Sequence, residues 1–226
     1  MQRIVEEEWL DRGDGTPQEI EAALRSIAHV NRRFGGERLH ARLLAHAVAQ
    51  VPQGQRPHIM EVASGRGEVL RGALARLSVS ADITLLDRNP RHLPDSQTWP
   101  ADLTPRVVTG NALDLPFADA SVDIVACCLF LHHLEPPEVM RFLVEAMRVA
   151  RVAVVINDLE RNAIHHRLAQ LRSLVDPSRL SEHDGPVSVR RAYTYRELTG
   201  MLANTGRRFS IERAYLFRLG AIVWCG

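Results

Sequence analysis

Glu61 and Asp87 are carboxylates set on either side of a run of small residues, a pairing suited to holding a ligand rich in hydroxyl and amino groups. The segment His58-Ile-Met-Glu61-Val-Ala63-Ser64-Gly65-Arg66-Gly67 carries an apolar strand into a turn with little bulk at 63, 64, 65 and 67. Small residues there let the backbone close on a ligand. Asp87 ends the apolar run Ile83-Thr-Leu-Leu-Asp87, 20 residues beyond Gly67. A carboxylate at that distance suits the two hydroxyls of a ribose. Together these features read as a nucleoside site.

Which nucleoside follows from charge. A nicotinamide dinucleotide needs a third glycine, so that its pyrophosphate can rest on the helix N-terminus. Gly65-Arg-Gly67-Glu-Val-Leu70 places leucine in that position. Glu68 would face the phosphates from the first helical turn, and Glu61 adds a second repulsion. The same carboxylates suit an ammonium group. S-adenosylmethionine offers a ribose, an amino group and a sulfonium, with no phosphate.

A second set of residues has the chemistry of proton transfer. His132 and His133 follow an apolar strand, at the end where open α/β sheets bind ligands. One would act as a general base toward a substrate hydroxyl, since imidazole titrates near neutrality; otherwise both shape the loop by hydrogen bonding. Asp158, His165 and His166 come after the next strand and are candidate substrate contacts. Adjacent histidines on one helix point about 100° apart, and no third ligand accompanies His165-His166, so no metal site is expected. His183-Asp-Gly-Pro-Val-Ser-Val-Arg190-Arg191-Ala-Tyr193 reads as a polar loop. Arg190 or Arg191 would hold an acidic or phenolate group, or form a solvated pair. Asp123 is expected to cap or pair locally, and Cys127 and Cys128 to pack in the core.

These residues need elements to place them. Thr16-Pro-Gln-Glu19 is a capping box with proline at the first helical position; Ile20, Leu24, Ile27 and Val30 then share one face. Gly35-Gly36 breaks that helix and is a plausible hinge. A second helix uses Leu39, Leu43, Leu44, Ala47 and Val48. Residues 1–50 are therefore expected as a helical cap, with 51–226 as the ligand-binding domain. From His58 onward strands and helices alternate: strands near 58–63, 82–87, 106–110, 122–130 and 152–156, with helices between them. A helix from about 161 to 175 is expected to use Ile164, Leu168, Leu171 and Val175. Thr194-Tyr-Arg-Glu197 opens another, running to about 203. The runs 208–215 and 217–224 leave room only for a hairpin. The expected fold is α/β: a Rossmann-like, doubly wound, seven-stranded, mainly parallel sheet with an antiparallel C-terminal strand and an N-terminal helical cap.

Three further motifs follow in order after the Glu61–Gly67 turn and Asp87: Thr109-Gly-Asn111-Ala112-Leu-Asp-Leu-Pro-Phe117, Ser121-Val-Asp123, and Leu131-His132-His133-Leu134. In this order the chain resembles class I S-adenosylmethionine-dependent methyltransferases, especially the small-molecule group that includes ubiquinone/menaquinone-biosynthesis methyltransferases. The resemblance runs over about residues 58–160. It implies that Glu61, Ala63, Ser64, Gly65 and Gly67 wrap the methionine and ribose, and that Asp87 accepts the ribose hydroxyls with Arg88 beside the adenine. Asn111 would meet the adenine edge through its side chain and Ala112 through its N–H; the backbone at Cys128 and Leu129 would face the methionine. S-adenosylhomocysteine would be the product. Ala63 replaces the usual first glycine and Asn111 the usual aspartate.

Charge and composition exclude several other classes. The chain has 226 residues, 46% of them hydrophobic, with 28 basic against 27 acidic residues and a net charge of +1. Without a basic strip, no nucleic-acid partner is expected. No apolar run reaches the roughly 20 residues of a membrane span. Three cysteines without CxxC spacing, and an acidic N-terminus without a signal-peptide pattern, lead to the expectation of a cytoplasmic protein, monomer or homodimer. The expected activity is methyl transfer to oxygen or carbon of a small hydroxylated aromatic, quinone-like or polyketide-type acceptor, in secondary metabolism. A regulatory protein that binds the cofactor without turnover, or a protein/RNA methyltransferase, is the alternative.

Overall fold

Seven strands, β1 (His58–Val62), β2 (Asp82–Asp87), β3 (Arg106–Thr109), β4 (Val122–Cys128), β5 (Ala150–Leu159), β6 (Phe209–Ala214) and β7 (Arg218–Trp224), form a single sheet. Their order is β3-β2-β1-β4-β5-β7-β6, and β7 alone runs antiparallel to its neighbours. This is the fold expected from the sequence. The computed structural model describes residues 1–95, 99–173 and 178–226.

The central strands are apolar because helices cover both faces. On one face α3 (Gly36–Val48) and α4 (Glu68–Leu77) bury Leu39, Leu44, Leu70 and Leu74 against Ile59, Ile124 and Val155. On the other, α5 (Pro136–Val149) and α8 (Tyr195–Ala203) bury Phe142, Leu143, Leu198 and Leu202 against Met60, Val125 and Val154. Capping boxes start α8 at Thr194 and α2 (Pro17–Arg33) at Thr16. Asp123 accepts the His58 N–H and an Arg151 ion pair, a structural role. No described helix is long and apolar enough to cross a membrane.

Two local expectations are corrected. Residues 183–191 are not a loop: they belong to α7 (Arg179–Arg191), capped by Ser178, with Leu180, Asp184, Val187 and Arg191 buried at helical spacing. Gly185 and Pro186 look like loop residues, but burial of this face outweighs their poor propensity. In α6 (Ala163–Ser173), Ile164, Leu168 and Leu171 are exposed instead of packed inward. Leu168 faces a cavity, and Val175 lies outside the described residues.

The order of strands reverses between β1 and β4. Outside the carboxyl ends of strands at such a switch point, α/β sheets form a crevice. Here α2, α6, α7 and the short α1 (Trp9–Arg12) gather above that end of the sheet.

Candidate active site

A cavity of about 520 Å³ opens at the switch point. Its lining includes Glu61, Ala63, Ser64, Gly65, Asp87, Arg88, Asn111, Ala112, Cys128 and Leu129. Four separate strand ends thus bring nearly the whole anticipated cofactor set together. Gly67 lies just behind, at the N-cap of α4 with φ +67°. A Cβ on Gly67 would meet Trp99 at 2.7 Å and Leu85 at 2.8 Å, so this glycine is required by packing. Gly65 differs: at φ +51° its nearest neighbour to a Cβ would be Leu24, 4.0 Å away. The space in front of Gly65 is open to a ligand. Ala63 adopts φ +49°, the left-handed region where glycine is favoured. The turn keeps its shape despite the methyl group, at a conformational cost.

Asp87 is shared between architecture and binding. Its two oxygens accept the N–H groups of Gly65 and Asn89, each at 2.9 Å. A carboxylate has about four acceptor positions, so each oxygen retains capacity for a hydroxyl. Asn111 gives its amide oxygen to the Leu113 N–H at 3.0 Å, fixing the turn after β3.

Glu61 is buried, and neither carboxyl oxygen has a hydrogen-bond partner. His40 on α3 lies 3.5 Å away. Burial pushes Glu61 up to about 8 and His40 down to about 4, so both are held neutral. An unpaired carboxyl lining a cavity is what an incoming ammonium group would satisfy. This orphan, the open face of Gly65 and the spare acceptors of Asp87 all fit S-adenosylmethionine.

At the other end of the cavity stand the two histidines, covered by an N-terminal segment whose part the sequence did not signal. His132 Nδ1 donates to Asp158 at 2.6 Å, and its Nε2 is 3.5 Å from Glu8. His133 Nδ1 donates to Asp11 at 2.6 Å. Both acceptors are carboxylates, which fixes Nδ1 as the donor. Burial opposes charge on His132, but Asp158 and Glu8 outweigh it and raise its pKa to about 10. Burial likewise opposes charge on Glu8, and the imidazoles hold it below the ordinary carboxylate range. Glu8, His132 and His133 form, among the described residues, a group with ligand atoms within 4.8 Å of one another.

The remaining candidates separate. Asp158 is buried behind His132. Arg191 donates to the carbonyls of His132, His133 and Glu6, clamping the histidine turn to the N-terminal segment. Arg190 and His166 line neither cavity described here. His165 faces a second cavity of about 490 Å³, bounded by Ile27, Val30, Phe34, Leu168, Phe217 and Arg218 among others. The apolar face of α2 thus turns partly toward this space. Glu8, Leu10, Ile27, Leu129, Leu159 and Ser188 line both cavities, which therefore adjoin.

Comparison with known proteins agrees with this geometry. The methyltransferase domain family matches residues 60–155. The 27-O-demethylrifamycin SV methyltransferase of Amycolatopsis mediterranei (strain S699) is 27% identical over 154 residues, covering 60% of this chain and 56% of that protein. This chain thus matches little more than half the length of that relative. The plantazolicin methyltransferase BpumL in complex with SAH superposes with a TM-score of 0.67 at 14% identity, over 91% of this chain and 95% of that one. An O-methyltransferase family 2 protein from Planctomyces limnophilus, in complex with apigenin, gives 0.61 at 16% identity, over 94% and 63%. Residues 60–155 thus carry a methyltransferase domain, and the motifs in order and the sheet topology are those of class I S-adenosylmethionine-dependent methyltransferases.

Proposed function

We propose that this methyltransferase acts on an oxygen of a small, mostly apolar, hydroxylated acceptor seated in the second cavity. The observation that carries the reading is the junction of two unlike cavities. One is lined by the polar cofactor set, the other has an apolar wall that includes Ile27, Val30, Phe34, Leu168 and Phe217. Such a wall suits a ring or chain of low polarity. The names of the rifamycin relative and the apigenin complex are compatible with a hydroxylated acceptor.

When bound, S-adenosylmethionine supplies an electrophilic methyl group on a sulfonium and leaves as S-adenosylhomocysteine. Glu61 would hold the amino group and Asp87 the ribose diol. The Ala63–Gly67 turn would close on the cofactor, with Arg88 and the Asn111-Ala112 turn at the base and Cys128-Leu129 near the methionine. The task of the protein is then alignment and exclusion of water. The Nε2 of His133, kept as an acceptor because Nδ1 is tied to Asp11, would take the hydroxyl proton. His132, held between Asp158 and Glu8, would keep a positive charge beside the developing oxyanion.

Two titrations test this. S-adenosylhomocysteine should bind calorimetrically, whereas NADH should not; binding of NADH alone would discard the reading. Labelled S-adenosylmethionine should then methylate members of a phenol and catechol panel. His133→Gln should lower kcat by roughly 10²-fold or more, with cofactor affinity retained. Cofactor binding without transfer to any of them would favour a regulatory protein.

A further inference from the structure

Arg218 opens β7, is only 2% exposed, and lines the second cavity. Its guanidinium faces no carboxylate within ion-pair distance among the described residues. Its hydrogen bond is a long one, Nη1 to Asn157 Oδ1 at 3.4 Å. Every other arginine buried to this degree is well served: Arg161 pairs with Glu197 and two carbonyls, and Arg191 holds three carbonyls. A buried charge served only by neutral partners, here Asn157 and Cys128, costs several kcal/mol unless a ligand satisfies it.

The surroundings are shaped for this side chain. A Cβ on Gly36 would collide first with Asn31 Oδ1 and then come within 2.7 Å of Arg218 Cζ and 2.8 Å of Nη1, so the glycine that begins α3 leaves room for both side chains. Asn157, whose amide donates to the Gly36 carbonyl at 2.9 Å, completes the frame without adding charge. His165, stacked on Phe217 with ring centroids 5.4 Å apart, lines the same cavity.

We propose that Arg218 is the receptor for an anionic oxygen of the acceptor, so that the preferred substrates are hydroxylated aromatic or polyketide-like compounds carrying a carboxylate or a second, ionised hydroxyl. This assignment rests on the second cavity being the acceptor site. A planar guanidinium matches a carboxylate through two parallel N–H bonds. In a cavity that also carries an apolar wall, that contact would orient the acceptor and set which hydroxyl reaches the cofactor. The cofactor has a carboxylate of its own, but Arg218 lines the second cavity and not the first.

The test compares wild type with Arg218→Met, Arg218→Gln and Arg218→Lys. Binding of the three hydroxybenzoate isomers and of their neutral methyl esters is titrated in the presence of S-adenosylhomocysteine. Wild type should bind at least one acid roughly tenfold more tightly than its ester. That preference should vanish in the Met and Gln variants and survive in part in Lys. With the buried charge gone, the ligand-free Met variant should melt a few degrees above wild type. Equal affinity for acid and ester, absence of acid binding, or a preference that persists in Arg218→Met would overturn the proposal. So would lowered melting in both neutral variants, which would make Arg218 a structural tie, or a loss confined to cofactor affinity. Failure of the methyltransferase reading is separable, because S-adenosylhomocysteine would then not bind wild type at all.

Discussion

The Asp87 carboxylate at the end of β2 accepts the N–H of Gly65 in the neighbouring turn, 2.9 Å away. One side chain thus ties two strand ends together and presents its remaining acceptor positions to the cavity. Asp87→Ala should therefore have two effects. Cofactor affinity should fall at least about tenfold, and stability should drop by roughly 2–3 kcal/mol, as expected when N–H partners of a charged group lose it. Calorimetric titration and urea melts measure the two separately. Unchanged affinity would remove the ribose assignment.

Glu61 makes stability depend on pH. Its carboxyl titrates at 4.5 when unfolded and at about 8 when buried. The unfolded chain ionises first, so the contribution of Glu61 to stability is complete below 4.5 and is lost as pH rises toward 8. Glu61→Gln should flatten this part of the pH profile of the ligand-free melting temperature and weaken S-adenosylmethionine binding. Binding to wild type at pH 7 should release protons, detected as a heat that varies with buffer ionisation enthalpy.

Gly67 and Ala63 predict opposite outcomes in the same turn. Gly67→Ala adds a Cβ 2.7 Å from Trp99 at a φ of +67°. Backbone strain and overpacking together should cost on the order of 3 kcal/mol. Ala63→Gly relieves a φ of +49° but frees the unfolded chain. It should lie within about 1 kcal/mol of wild type, on the stabilising side. Denaturant midpoints of the two variants decide both points.

Val30 lines the second cavity and not the first. Val30→Trp should obstruct the acceptor and spare the cofactor. Turnover of an accepted phenol should fall roughly tenfold or more, with S-adenosylhomocysteine affinity unchanged. Equal losses in both measurements would place the acceptor elsewhere.

Much of this arrangement could be read along the chain, because short-range physics determines it. The alternation of apolar strands and amphipathic helices specified the sheet, and two Thr-x-x-Glu capping boxes marked α2 and α8. The Glu61–Gly67 turn and Asp87 adjoin in space because β1 and β2 pair in register. The residues that escaped notice act across long separations. Glu8 and Asp11 reach His132 and His133 more than a hundred positions away, and no local pattern announces that contact. The helix at 179–191 was hidden because Gly185 and Pro186 oppose it locally, while burial of Leu180, Asp184 and Val187 stabilises it only once α1 and α2 are in place. Arg218 is the clearest case. In sequence it is one arginine among many; only the placing of β7 between β5 and β6, under α3, buries its charge with no carboxylate at ion-pair distance among the described residues. Periodicity and spacing determined the sheet and the cofactor turn, which depend on neighbours in sequence. Tertiary packing alone decided which charges lost water and which found partners.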